Sequence, residues 1–287
     1  MNELFPAAPR GPGAFALGPR SGWRQASKSR RSARVRPDKE GLSNHHDRML
    51  KALRKFYYVL PRNKRKVAGE MPAFGICKGC TLGLATDYKC GGNGMPVVSK
   101  ATRAHPKLVE ALCAGCQAAC PGFKFTSIQV NVNTKYRMHT DGFDAGPSRM
   151  VALGDFSQGR LWLHASATNS WRLVDVRNTW IAFDGREFHL TEEWKGGERY
   201  SLVFFTNHLW DQLEPEGQGQ LKQLGFQWPE KADVFREEIP WPDVRQRSAL
   251  RSWRFVQLRL GIRKVLRRVI SPFKKLSRDM LRGGKKK

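Results

Sequence analysis

Between residues 122 and 206 the chain breaks into short β-rich segments at close intervals, and this constrains its fold more than any other feature. Segments 125–132, 150–153, 161–164, 171–176, 179–183 and 200–205 are rich in Val, Ile, Phe, Trp, Tyr and Thr. Clusters of Gly, Asp, Asn, Ser or Gln separate most of them, as strand-terminating turns require. Strands this short bury little alone, so many of them in succession indicate a sandwich or a jelly roll. Two helices are expected to pack outside the sheets. The first spans 43–60, started by Ser43, with Met49, Leu50, Leu53, Phe56, Tyr57 and Leu60 on one side and Arg48, Lys51, Arg54 and Lys55 on the other. The second spans 105–120. The predicted class is mainly β with flanking helices, an α+β fold.

Charge divides the chain into three parts. Residues 1–66 hold 17 Lys and Arg against 4 Asp and Glu, and residues 245–287 hold 16 against 1, whereas the whole chain has a net charge of +26. The body is therefore near neutral and lies between two basic arms. Such arms attract polyanions, either nucleic acid or an anionic membrane surface, and the bland alternative is a pair of solvated tails. Along the chain this suggests a disordered basic segment at 1–40, a basic amphipathic helix at 41–66, the main domain at 67–210 with its β core at about 122–206, loop and short helix at 211–244, and a basic helical tail at 245–287. Segment 1–40 is also rich in Arg and Ser and poor in acids, as an organelle transit peptide would be. The cluster Arg62-Asn63-Lys64-Arg65-Lys66 reads either as a nuclear-import signal or as a solvated helix end. The nucleus is the expected location, with an organelle or the cytoplasm as alternatives. No run approaches 18 apolar residues, so no membrane-spanning helix is expected.

Six cysteines occur: Cys77, Cys80, Cys90, Cys113, Cys116 and Cys120. Two Cys-x-x-Cys pairs could make a tetrahedral zinc site. Cys113, Cys116 and Cys120, however, continue Leu108, Val109 and Leu112 at helical spacing, which suits a buried helix face with reduced thiols. Buried thiols are the preferred reading and structural zinc the alternative.

The constellation that carries chemistry is His139-Thr-Asp141, then His189, then Arg199-Tyr-Ser201. Non-haem iron sites use two His and one carboxylate on one face of the metal, leaving positions open. Alternate residues of a strand share a face, so His139 and Asp141 project together, as do Arg199 and Ser201. His189, about fifty residues on, is separated by the strands needed to return to the same barrel. Arg199 offers a bidentate fork for a carboxylate and Ser201 a further donor. The structural alternative for Arg199 is a surface ion pair with Glu198 or Glu193. Trp162, His164 and Trp171 read as core or barrel-face residues, and His45 and His46 take no role.

These motifs, with SIQVNVN at 127–133, ALGDF at 152–156, WIAFDG at 180–185 and GERYSLVFF at 197–205, resemble the 2-oxoglutarate/Fe(II) dioxygenases. More narrowly they resemble the TET/J-binding-protein group, which oxidises the methyl group of thymine or 5-methylcytosine. The likeness covers roughly 95–207. It implies a double-stranded β-helix in which His139, Asp141 and His189 bind Fe(II) and Arg199 with Ser201 holds 2-oxoglutarate. It places Asn131, Asn133 and Tyr136 around the pocket, with O₂ as the other cosubstrate. The implied reaction hydroxylates a pyrimidine methyl group in DNA, or in RNA, with release of succinate and CO₂. Gln158-Gly-Arg-Leu161 departs from the group, in which an acid commonly stands at the place of Arg160. The competing functions are a prolyl or lysyl hydroxylase and a catalytically silent barrel that binds nucleic acid.

Overall fold

The computed structural model describes residues 39–70, 76–90, 94–142, 144–234 and 251–258. In chain order these form α1 (Lys39–Phe56), β1 (Ala68–Glu70), β2 (Lys78–Asp87), β3 (Met95–Val98), α2 (Lys100–Ala104), α3 (Pro106–Ala119), β4 (Ser127–Val132) and β5 (Thr134–Tyr136). The order continues with β6 (Ser148–Leu153), β7 (Phe156–Gln158), β8 (Leu161–Ala165), β9 (Ser170–Val174), β10 (Ile181–Phe183), β11 (His189–Thr191), β12 (Trp194–Gly196), β13 (Tyr200–Phe205) and α4 (Pro215–Gln223).

The larger sheet has the strand order β10-β6-β13-β4-β2-β3, and a smaller one the order β11-β8-β9, all neighbours antiparallel. An antiparallel bridge between His139 and His189 joins the chain leaving β5 to the free edge of β11. From β4 onward the chain alternates between the two sheets, returning to the larger one at β6, β10 and β13. That alternation is a jelly roll, the double-stranded β-helix expected above.

Two cores follow from the period of two along the strands. On β4 and β13, Ile128, Val130, Leu202 and Phe204 are fully buried against α1 and α3, which contribute Met49, Leu53, Leu108, Leu112 and Cys116. The opposite face points between the sheets, where Met150, Phe156, Leu161, Phe183 and Trp194 form the second core. Truncating a fully buried leucine such as Leu53 or Leu202 to alanine costs about 2–5 kcal/mol through lost burial and the cavity left behind.

Several local expectations are corrected. α1 begins at Lys39, so Ser43 lies within it, and it ends at Phe56 in a single 3-10 turn. Ser99 caps an unexpected short helix, α2, ahead of α3 by accepting from Thr102 N. The larger sheet also begins well before residue 122, because β2 and β3 extend it beyond β4. Cys113 and Cys116 are buried on α3 as the helical spacing suggested, and Cys77 is buried as well. The thiols of Cys113 and Cys116 are free, and burial pushes the Cys80 thiol up to about 11.

Trp162, His164 and Trp171 sit on the outer face of the smaller sheet. There helix 251–258 packs Trp253 edge-on to Trp162 at 5.2 Å and against Trp171 at 5.1 Å. Trp171 Nε1 donates to Ser252 Oγ at 2.7 Å. The basic tail is thus attached to the barrel at its start. The rest of that tail and residues 1–38, with the disorder and transit-peptide expectations, lie outside the described residues.

Candidate metal centre

His139 and His189 face each other through a closed pair of backbone hydrogen bonds, His139 N to His189 O at 3.1 Å and His189 N to His139 O at 3.0 Å. Such a pair projects both side chains to one side, and the imidazole centroids lie 4.3 Å apart. Asp141 N donates to Gly185 O at 2.7 Å, which fixes the carboxylate beneath the two rings. Each ring is oriented by its own backbone. His139 Nδ1 lies 2.7 Å from Arg137 O and His189 Nδ1 lies 2.9 Å from Glu187 O. A carbonyl only accepts, so both Nδ1 atoms carry a proton and both Nε2 atoms are turned toward Asp141. Nε2 of His139 is 3.8 Å from Asp141 Oδ1 and that of His189 is 3.5 Å from Oδ2. The three ligand atoms lie within 4.8 Å of one another, a grouping matched by no other His, Cys, Asp or Glu cluster among the described residues. Two imidazoles and one carboxylate form the donor set that a non-haem Fe(II) site uses, so the residues fit such an ion.

The electrostatics suit a cation. Burial opposes the charge on Asp141, yet His189, Arg65 and His139 outweigh it and hold its carboxyl far below the usual range. Burial and the neighbouring His189 press His139 down to about 4. In the unfolded chain His139 titrates near 6.5. The unfolded state therefore binds the extra proton first, and the associated stability is present above pH 6.5 and lost as pH falls toward 4. In metal-free protein this amounts to about 2 kcal/mol by pH 5. Denaturant unfolding at pH 7 and pH 5 measures it, and an undiminished slope in His139→Gln would rule His139 out as the source.

The triad opens on a cavity of about 820 Å³. Asn131, Tyr136 and Ser201 line it. Tyr136 Oη donates to Asn131 Oδ1 at 2.7 Å, and Gln129 Nε2 donates to the same oxygen at 3.0 Å. Asn133 does not line it. It sits in a left-handed conformation (φ 51°), and its Oδ1 accepts from Arg199 N at 2.9 Å, a turn-stabilising role that strand parity could not reveal.

Arg199 is buried to 1% exposure but lies deeper than the cavity wall. Its guanidinium lies 5.4 Å from the Phe156 ring centre and 5.5 Å from that of Trp194, and Nη2 donates to Gly159 O at 3.0 Å. Gly159 has φ 65°, and a Cβ there would come within 3.1 Å of Arg199 Nε, so glycine is required on both counts. The surface pairs considered for Arg199 do not form: Glu198 pairs with Arg54, and Glu193 with Lys135. No acidic side chain among the described residues neutralises Arg199, and its buried Nε has no hydrogen-bond partner. Burial lowers its pKa to about 10, which still leaves it charged at neutral pH.

Three features of the site were not foreseen. Arg65 Nη2 donates to Asp141 Oδ1 at 2.6 Å and stands over the Tyr136 ring. The basic residues of the cluster at 62–66 are exposed after the helix, and Arg62, Lys64 and Arg65 also line the cavity. Asp144 is buried beside Gly185, where a Cβ would collide with its carboxylate. Burial and the charge of Asp141 push the Asp144 carboxyl well above the usual range, while Ser148 Oγ donates to it at 2.8 Å. Finally, Arg160 is turned outward in a bidentate pair with Glu192 and does not line the cavity. His46 accepts from Trp180 Nε1 at 2.9 Å, a packing contact between α1 and the barrel.

No family profile matches the sequence, and no curated protein matches it. Among solved structures, an oxidoreductase of the 2OG-Fe(II) oxygenase family from Burkholderia pseudomallei is 14% identical, with a TM-score of 0.38 over 61% of this chain and 96% of that one. A Pseudomonas putida prolyl-4-hydroxylase is 16% identical, with a TM-score of 0.37 over 60% and 89%. NgTET1 in complex with 5mC DNA is 13% identical, with a TM-score of 0.35 over 59% and 69%.

Proposed function

We propose that the chain is an Fe(II)- and 2-oxoglutarate-dependent oxygenase that hydroxylates a pyrimidine methyl group in nucleic acid. The observation that carries the cosubstrate is the buried, unneutralised guanidinium of Arg199, immediately before β13 and two positions from Ser201. A charge taken out of water without a partner is unfavourable, and a carboxylate entering past Ser201 would relieve it. His139, Asp141 and His189 would hold the iron, which with 2-oxoglutarate and O₂ would supply oxidation of a C–H bond to an alcohol. Ser201 would orient the cosubstrate. Asn131, Tyr136 and Gln129 form a hydrogen-bonded wall that would position the substrate and limit water. Arg65 would hold the Asp141 carboxylate toward the ion.

Nucleic acid is favoured over protein by charge. The two arms hold 33 basic residues against 5 acidic ones, and the cavity mouth is itself cationic. Succinate release decides the substrate: stimulation by methylated DNA or RNA supports it, whereas stimulation by proline- or lysine-containing peptides alone would make the chain a protein hydroxylase. No succinate with any substrate would favour a silent binding barrel.

The arms themselves predict a salt dependence. If six of their basic residues touch phosphates, duplex affinity falls roughly a thousandfold between 50 and 200 mM salt. Removing residues 245–287 should flatten that slope. Binding of anionic vesicles by the tail, with DNA binding unaltered by its removal, would instead assign the tail to a membrane surface.

A further inference from the structure

Residues 61–65 leave the 3-10 turn after α1 and run as a strap against the start of β2. Gly79 N donates to Pro61 O and Asn63 N to Cys77 O, both at 2.9 Å, while Arg62 bridges Lys78. Asn63 Nδ2 donates to Tyr136 Oη at 2.8 Å, its Oδ1 accepts from Arg65 N at 3.1 Å, and Arg65 closes onto Asp141. The strap is thus pinned at both ends and in the middle, and it holds three cationic side chains at the cavity mouth. Asp141 neutralises Arg65, but Lys64 is exposed and pairs with no acid among the described residues.

From the strap the cavity continues past Gly79, Thr81 and Thr86 to Tyr88, which is 55% exposed. Tyr88 lies nine positions beyond Gly79, up to about 30 Å of extended backbone. This is a groove long enough for a chain molecule, with positive charge beside the triad and a partly exposed aromatic side chain at the far end.

We propose that the groove takes a single polynucleotide strand, with Lys64 and Arg62 holding a phosphate beside the triad and Tyr88 stacking a base further along. The proposal deepens the oxygenase reading and rests on it for the role of the triad. A phosphate recurs at every nucleotide, so a fixed cationic strap meets one in any register. An aromatic face stacks any base, which gives grip without sequence choice. The same sign of charge in the arms favours a polyanion over a neutral peptide.

The test is binding, by fluorescence anisotropy, of labelled hexathymidylate to the full-length protein without iron or 2-oxoglutarate. Thymidine 5′-monophosphate and a hexaglutamate peptide serve as competitors. Lys64→Glu is expected to weaken hexamer binding roughly tenfold, the loss of one charge-assisted contact. Lys107→Glu makes the same charge change on the exposed side of α3 and should alter binding by less than about twofold. Tyr88→Leu should weaken it by about tenfold with the salt dependence unchanged. Equal effects of Lys64→Glu and Lys107→Glu would overturn the proposal. So would a monophosphate that competes as well as the unlabelled hexamer, which would make the groove a free-nucleotide site. Hexaglutamate competing as well as the hexamer would assign the groove to acidic peptides. Because iron and 2-oxoglutarate are absent, these failures leave succinate formation untouched. Absence of succinate formation, conversely, would sink the oxygenase reading without altering the binding result.

Discussion

His139→Ala and Asp141→Ala are each expected to abolish iron-dependent succinate formation, with a fall exceeding about a hundredfold. Loss of a partner that merely orients a ligand costs 10- to 100-fold, and loss of the ligand itself costs more. Iron bound after anaerobic loading should fall in parallel. The fold should survive, because His139 and Asp141 line a cavity and neither belongs to the two apolar cores. Asp141→Ala also leaves Arg65 without its carboxylate, so it should perturb the strap more than His139→Ala does. Undiminished iron binding and turnover in both variants would end the assignment of the triad.

Arg199→Met carries the second large effect. Methionine fills much of the same volume between Phe156 and Trp194 but cannot neutralise a carboxylate. The KM for 2-oxoglutarate should rise on the order of 30- to 100-fold, from the loss of charge-assisted hydrogen bonding, with iron affinity little changed. Stability supplies an independent reading of the same residue. A buried guanidinium with no counter-charge is costly, so ligand-free Arg199→Met should be no less stable than the native protein. Strong destabilisation with an unchanged KM would make Arg199 a structural residue whose function is to support Gly159 and the turn before β8.

Much of the barrel was legible because its strands carry their own signal. The strand at 200–205 has the limits expected of β13, and its alternation sets Ser201 on the cavity while Tyr200, Leu202 and Phe204 pack in the core with the helices. β2, the longest strand, was missed. Glycines at 79 and 83 and a mixed run of Lys, Cys and Thr weaken its alternation, and it is a strand because β4 lies beside it. Asn133 shows the complementary failure. It alternates correctly with Asn131, but the chain turns there into a left-handed conformation, and its side chain binds backbone instead of facing the cavity.

The sequence by itself determined that His139 stands two positions from Asp141 and Arg199 two from Ser201, a spacing that shares one side of an extended chain and is a local property. It also determined the partition of charge, since formal charge requires no fold. Only the tertiary structure brought His189 opposite His139, through a two-hydrogen-bond bridge between segments fifty residues apart. Only the tertiary structure turned a run of basic residues after a helix into the rim of the cavity, with Arg65 on Asp141. The same basic cluster on a free helix end would have no fixed place. Here β2 and Tyr136 hold its backbone and Asn63 in place, and long-range pairing of that kind leaves no periodicity to read.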